Sequence, residues 1–334
     1  MSLLNSLPLR RWPTKHGQAG LTLVELMVAL TLGLLVAAAA VAALIIARQG
    51  FTSVDGSTQL RENARFAVSQ VERVAVQAGF ENAAYGAFTG WKPPTAPIAP
   101  QFLDQGVRGF DNALVSAGTL PSTFVHGSRT SANCGYSDTS CMNGSDVLIL
   151  RFWGSSRAGA ADGAMINCAG VAEPEAVTAV GPAYSVFHVV RSSSGEPTLA
   201  CSFRDPITLA WSTVPLVQGV EGFRVMYGTD GVTPNVCAAD TTTGADTVAE
   251  RYLTAAELDA AGVYCATNWA RVRSLRVGLL VRGPVGTAVV SAAASWPVLS
   301  TPGAAYPFGT PLAVAADGRL RQQMVFTVHL RNAQ

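Results

Sequence analysis

Charge is scarce in this chain. Only 13% of its 334 residues are Asp, Glu, Lys or Arg, and the net charge is +1. A nucleic-acid binder would carry a dense basic face, so the composition argues against that class. Arg271, Arg273, Arg276 and Arg282 do not restore it, because on a strand they fall on both faces at low density. Histidine is also rare, at four residues. His16 lies in a basic N-terminal stretch, His126 in a loop-like one, and His188 and His329 in strand-like segments. The chain has no His-Glu-x-x-His, no Gly-x-Ser-x-Gly, no phosphate loop ending in Gly-Lys-Ser/Thr and no Gly-x-Gly-x-x-Gly. Glu173-Pro174-Glu175 pairs two carboxylates, but charges flanking a proline read as a solvated turn. The expectation is a protein that is not an enzyme and has no cofactor.

Cysteine is missing before residue 130. The six that follow are Cys134, Cys141, Cys168, Cys201, Cys237 and Cys265. None stands in a Cys-x-x-Cys or Cys-x-x-His spacing, which argues against zinc and leaves no metal site to expect. Three disulfides in an oxidising compartment are the economical reading. Six cysteines allow fifteen connectivities, so pairing between sequence neighbours (134–141, 168–201 and 237–265) is one choice among them. Asp230, Asp240, Asp246 and Glu250 could gather calcium through oxygen atoms. Their spacing matches no calcium loop, and they read as a polar loop around Cys237.

What the chain does have is a long uncharged run. Leu26 to Ala47 is twenty-two residues without a charge, about 33 Å as a helix at ~1.5 Å per residue, enough to cross a bilayer. Arg10, Arg11, Lys15 and His16 precede it with no acid among residues 1–20. The excess of positive charge keeps that side cytoplasmic and sends the C-terminal mass outward. A secretory signal has a shorter apolar core followed by a small-residue cleavage site. Here the small residues Ala37–Ala40 lie inside the run, so conventional cleavage is the weaker reading. Glu25 sits at the entrance, where an unpaired charge is costly and usually functional.

The order Gly20-Leu21-Thr22-Leu23-Val24-Glu25 before an apolar helix resembles the class III signal of type IV prepilins and type II secretion pseudopilins. The resemblance implies that a prepilin peptidase cuts between Gly20 and Leu21, and that Leu21 becomes an N-methylated terminus. Leu21 departs from the usual phenylalanine, and Ala42 stands where major pilins often carry a helix-bending proline. Physics gives Glu25 a task in that setting: the new amine of Leu21 is a cation that needs a partner in an apolar assembly, and a carboxylate one turn away can match it. The other reading of Glu25 is a carboxylate placed favourably at a helix N-terminus.

Beyond Arg48 the pattern becomes amphipathic. Leu60, Ala64, Ala67/Val68, Val71, Val74/Ala75 and Ala78 recur at three- and four-residue steps, with Gly79 as a stop. One helix over 21–79 is expected, with Gly50 and Gly56 weakening or kinking it. Residues 80–125 are rich in Gly, Pro and Ala, with Trp91-Lys92-Pro93-Pro94 and Pro97, and predict a loop-rich connector. Strands are predicted at 146–153, 183–190, 198–203, 220–227 and 271–282. The closing strand alternates, Met324, Phe326, Val328 and Leu330 against Val325, Thr327, His329 and Arg331. Thr254 and Glu257 form a capping box that starts a short helix. The fold class is α+β: a long N-terminal helix, transmembrane over 26–47 and amphipathic afterwards, packed on a mainly antiparallel sheet. A β-rich head over 126–334 follows a leader of residues 1–20.

Within the prepilin class the C-terminal half is similar to the PilW-like minor pilins. The stretches that carry this are Leu216-Val217-Gln218-Gly219-Val220-Glu221-Gly222-Phe223-Arg224-Val225-Met226-Tyr227-Gly228, Ala270 through Arg282, and Asp317-Gly318-Arg319-Leu320-Arg321 through Asn332. The resemblance implies a minor pilin anchored once in the inner membrane with its head in the periplasm, which starts or caps a type IV pilus. Its partners would be other minor pilins, the major pilin, a tip adhesin, the prepilin peptidase and the assembly platform. Two alternatives stay open on the residues alone: a J-type pseudopilin of type II secretion, and a membrane-anchored periplasmic binding protein or enzyme.

Overall fold

The computed structural model describes residues 20, 22–81, 106–113, 143–175, 181–237, 246–259, 263–288, 293–299, 311–314 and 316–332. Helix α1 runs Leu23–Ala75. The chain divides into two units at Phe51/Thr52, within this helix.

In the first unit α1 is exposed along its whole uncharged length. It is long and apolar enough to span a membrane, with none of its most apolar stretch buried. Leu30, Leu34, Leu35 and Ile46 are each more than 60% exposed. Each such side chain forgoes about 1.5–3 kcal/mol while it faces water, so this surface needs lipid or other helices around it. Thr31, the one polar side chain between 26 and 47, donates its hydroxyl to the Val28 carbonyl at 2.9 Å. That bond satisfies it inside the helix, as an apolar surrounding requires.

In the second unit α1 presents a stripe of small residues. Gly56, Leu60, Ala64, Ala67, Val71, Val74 and Ala75 are buried, at the i, i+3, i+4 spacing that points one face to a core. Gly79 has φ +74° and ends the helical turns, a left-handed conformation that costs glycine nothing. The remaining elements are β1 (Val107–Phe110), β2 (Val147–Phe152), β3 (Ser156–Arg157), β4 (Ala160–Ala161), β5 (Ala183–Arg191), β6 (Pro197–Arg204), β7 (Trp211–Gln218), β8 (Val220–Thr229), β9 (Arg251–Leu253), α2 (Ala255–Leu258), α3 (Ala266–Trp269), β10 (Val272–Arg282), β11 (Ala294–Trp296), β12 (Leu312–Val314) and β13 (Arg321–His329). Thr254 and Glu257 close the expected capping box on α2.

Two main sheets form instead of one. The first has the order β1-β2-β5-β6-β7 and the second β13-β10-β8-β9, and their pairings are antiparallel. Leu148, Leu150, Phe187, Leu199 and Phe203 of the first sheet join Phe223, Val225, Leu275 and Val277 of the second and the α1 stripe in one core. Val147, Ile149, Tyr184 and Val186 point to the other face of the first sheet and are buried there with Phe110. The alternation in β13 is as its pattern predicts: Val328 and Leu330 are buried, while Val325, Thr327 and His329 are exposed.

Two expectations need revision. The segment expected to be connector supplies β1, which pairs with β2 from Val107↔Leu150 to Phe110↔Val147. Gly56 is not a weak point but a contact: a Cβ there would overlap the Thr287 methyl. Thr287 cannot retreat, because its hydroxyl donates to the Pro284 carbonyl and accepts from the Leu320 N–H. Gly56→Val is expected to destabilise the head by about 1–3 kcal/mol through overpacking. Gly50→Val, where nothing lies within 4 Å, is the matched control. Urea unfolding of the detergent-solubilised chain measures both, and a Gly56 variant as stable as its control would contradict the contact.

Candidate functional site at the helix entrance

The entrance of α1 lies within the six residues from Gly20 to Glu25. Gly20 is exposed, with nothing within 4 Å of a Cβ position among the described residues. Leu21 lies outside the described residues. Thr22 and Glu25 then close a capping box: the Glu25 N–H donates to Thr22 Oγ1 at 3.3 Å, and the Thr22 N–H donates to Glu25 Oε2 at 3.0 Å. Thr22 Oγ1 also donates to the same carboxylate oxygen at 3.0 Å. Thr-x-x-Glu before an apolar run is a sequence signature for a helix start. Thr22 and Glu25 stand at that spacing, so the cap has a signal in the sequence beside the one that marks Glu25 as a charge at the mouth of the run.

Glu25 is exposed, and its charge is hydrogen-bonded without a cation beside it among the described residues. Every described bond to it uses Oε2. The arrangement can do two things chemically: start the helix, and offer a carboxylate to a cation.

The other residues singled out from sequence fall elsewhere in the head. Cys168 is bonded to Cys201 with Cα atoms 5.8 Å apart, and Cys237 to Cys265 at 5.3 Å. Cys134, Cys141 and His126 lie outside the described residues. The four arginines at and within β10 form no basic patch. Arg282 pairs with Glu196 and Glu221, Arg273 stands 3.5 Å from Asp230, Arg276 lies over the Tyr252 ring, and Arg271 reaches the Asp230 and Gly231 carbonyls.

A buried pair that the sequence did not announce ties β1 to the second sheet's helical corner. The Arg108 guanidinium meets both oxygens of Asp259 at 2.7 and 2.6 Å and is flanked by the rings of Phe110, Tyr264 and Trp269 at 4.6–4.8 Å. Asp111 accepts from the first two N–H groups of α2. Both are long-range contacts, 144 or more residues apart, so no local pattern encodes them.

Glu173 and His188 are buried titratable groups with structural surroundings. Burial pushes Glu173 up from 4.5 to about 7, against the hydrogen bond it accepts from Asn167. Burial pushes His188 down from 6.5 to about 4. Its Nε2 is 2.8 Å from Ser202 Oγ, inside the first sheet.

Comparison with known proteins assigns the class. Residues 15–41 match the family model of the prokaryotic N-terminal methylation motif. Together with the apolar helix, this makes the N-terminal part similar to prepilin-class, type IV pilin-like proteins, with a helix long and apolar enough to span a membrane. Residues 186–332, from within β5 to just past β13, match the model of Type IV Pilus-assembly protein W. Within its class, therefore, the chain is PilW-like. Among solved structures, a type IV-like pilin from Thermus thermophilus aligns at 14% identity and a TM-score of 0.37, covering 82% of this chain and 97% of its own. No curated protein matches.

The two buried groups give opposite pH slopes. Between about 4.5 and 7, native Glu173 keeps a proton that the unfolded chain releases, so its contribution to stability falls as pH rises. Between about 4 and 6.5, native His188 stays neutral while the unfolded chain takes up a proton, so its contribution rises with pH. Each is about 1.4 kcal/mol per pH unit, and they offset over the shared interval. Relative to the unmodified chain, Glu173→Gln is expected to gain stability as pH climbs from 5 to 6.5, and His188→Gln to lose it. Urea midpoints at pH 5, 6 and 7 read the slopes, and parallel profiles for all three proteins would contradict the assignment.

Proposed function

We propose that this protein is a minor pilin that helps to initiate or cap a type IV pilus, acting by helix bundling and head contacts without catalysis. In this reading residues 1–20 are a leader that the prepilin peptidase removes, leaving Leu21 as an N-methylated terminus. Residues 21–79 are the assembly helix, which sits once in the inner membrane with the head in the periplasm. The β-rich head follows, mostly over 126–334 and with β1 (Val107–Phe110) included. Other minor pilins, the major pilin and a tip adhesin are its partners.

The observation that carries the proposal is Glu25. It is a carboxylate at the mouth of an uncharged, exposed helix, with no cation beside it among the described residues. Moving such a charge into an apolar bundle is unfavourable unless an opposite charge meets it. The amine created at Leu21, on the same or a neighbouring subunit, supplies that charge. The pairing fixes one axial offset between helices, so Glu25 acts as a registry group. Head surfaces then select which subunit is the neighbour.

Two measurements test this. Mass spectrometry of the membrane-extracted protein is expected to show a mature terminus at a methylated Leu21, and any other terminus defeats the class III reading. Glu25→Ala is expected to leave leader removal largely intact and to reduce surface piliation by about tenfold or more, as loss of a pairing energy above ~1.4 kcal/mol would. Unchanged piliation defeats the registry role alone.

A further inference from the structure

We infer that Asp230, Asp246 and Glu250 form a binding site for one calcium ion on the head. Asp230 directly follows β8, and Asp246 and Glu250 precede β9. Because β8 pairs with β9, residues far apart in sequence come together, and one oxygen from each of the three carboxylates lies within 4.8 Å of the others.

The second observation is at Asp230. Its side chain is fully buried, and Oδ1 has no hydrogen-bond partner. The other oxygen is occupied: Oδ2 accepts from the Thr247 N–H at 3.1 Å and lies 3.5 Å from Arg273 Nε. An orphaned carboxylate oxygen in the interior carries an uncompensated desolvation cost, and a cation bound to it removes that cost. Glu250 and Asp246 are held in the same way. Glu250 Oε2 accepts from the Gly231 N–H at 2.7 Å, and Asp246 Oδ1 from the Val248 N–H at 2.9 Å. Among the described residues no donor meets the second oxygen of either. Three carboxylates are thus oriented by backbone groups, each with an oxygen to spare.

Charge and size select the ion. Three carboxylates and the Arg273 guanidinium leave a local charge of about −2, or about −1 with Arg271 counted as well, which favours a divalent cation. The donors are all oxygen, so the ion is a hard one. Opposite ligands on calcium stand about 4.6–5.2 Å apart and on magnesium only ~4.2 Å, so oxygens spread up to 4.8 Å fit calcium without rearrangement. Backbone carbonyls and water fill the remaining positions of a six- to eight-fold shell. Bound calcium would clamp the segment before β9 to the end of β8, on the same stretch of chain that the Cys237–Cys265 disulfide closes.

Calorimetric titration of the detergent-solubilised full chain with calcium chloride tests the site, with magnesium chloride as the second arm and the unfolding midpoint as an independent readout. One calcium per chain is expected, with magnesium binding at least tenfold more weakly and calcium raising the midpoint. Asp230→Asn alone would be ambiguous, because a buried change can unfold the head. The exposed variants Asp246→Asn and Glu250→Gln keep the backbone bonds. They are expected to weaken calcium at least tenfold with an unaltered midpoint in EDTA. No isotherm and no midpoint shift at millimolar calcium overturns the inference. So does magnesium binding as tightly, or both variants binding as the unmodified chain does.

Discussion

The head depends on how one chain passes between two sheets. β7 ends the first sheet and β8 opens inside the second, and a single residue, Gly219, joins them. Its φ is +86°, and a Cβ there would collide with the Arg282 carbonyl. The Gly219 N–H donates to the Pro197 carbonyl at 2.8 Å, and its own carbonyl accepts from the Arg282 N–H at 2.7 Å. Around this crossing three arginines and three carboxylates form a closed network. Arg282 meets Glu196 and Glu221, Arg321 meets Glu221 and Asp317, and Arg319 meets Glu196 and Asp317, with separations of 2.7–3.7 Å. The set is neutral, and the Glu221 and Arg321 side chains are at most 7% exposed. Removing one member of such a set strands the others in poor solvent, which costs more than an exposed ion pair is worth.

The three stretches similar to PilW-like proteins are distant in sequence, yet they supply Glu221, Arg282 and the Asp317–Arg321 turn. They meet at one place because each is one wall of the sheet junction. A sequence stretch is loose evidence when its residues are judged one by one. With Glu196, which lies outside them, the three stretches build one charge-balanced joint.

Legibility followed the range of the forces involved. The α1 stripe, the runs of β2, β5, β6, β8 and β10, and the alternation of β13 were readable, because burial of a face imprints a period on the sequence. β7 was not. It is a sheet edge with Ser212, Thr213 and Pro215 exposed, so it carries neither a buried run nor a clean alternation. β1 is four residues long inside a Gly- and Pro-rich stretch, and only its partner β2 makes it a strand. The second sheet was hidden by Gly219, which as a lone glycine between apolar runs does not reveal that the chain changes sheets. The Asp230–Asp246–Glu250 group was visible as an acidic loop, but its geometry depends on the β8–β9 register.

The geometry at Glu25 leaves room for the proposed second role beside the cap. As an N-terminal cap it stabilises the first turn of α1 through Thr22, and a helix that must enter an apolar layer cannot leave its first N–H groups unmet. In the proposed role of a registry group it would also have to keep a charge available. Both demands are met by one carboxylate because the capping bonds all converge on Oε2, which leaves Oε1 for a cation. Cleavage after Gly20 would preserve this division, since Thr22 stays with the helix and the new amine arises one residue before it. The amine then lies close to a carboxylate already fixed in position by its own cap, and fixing it beforehand lowers the entropy lost when the pair forms. A glutamate without Thr22 would have to choose between capping its own helix and pairing with another.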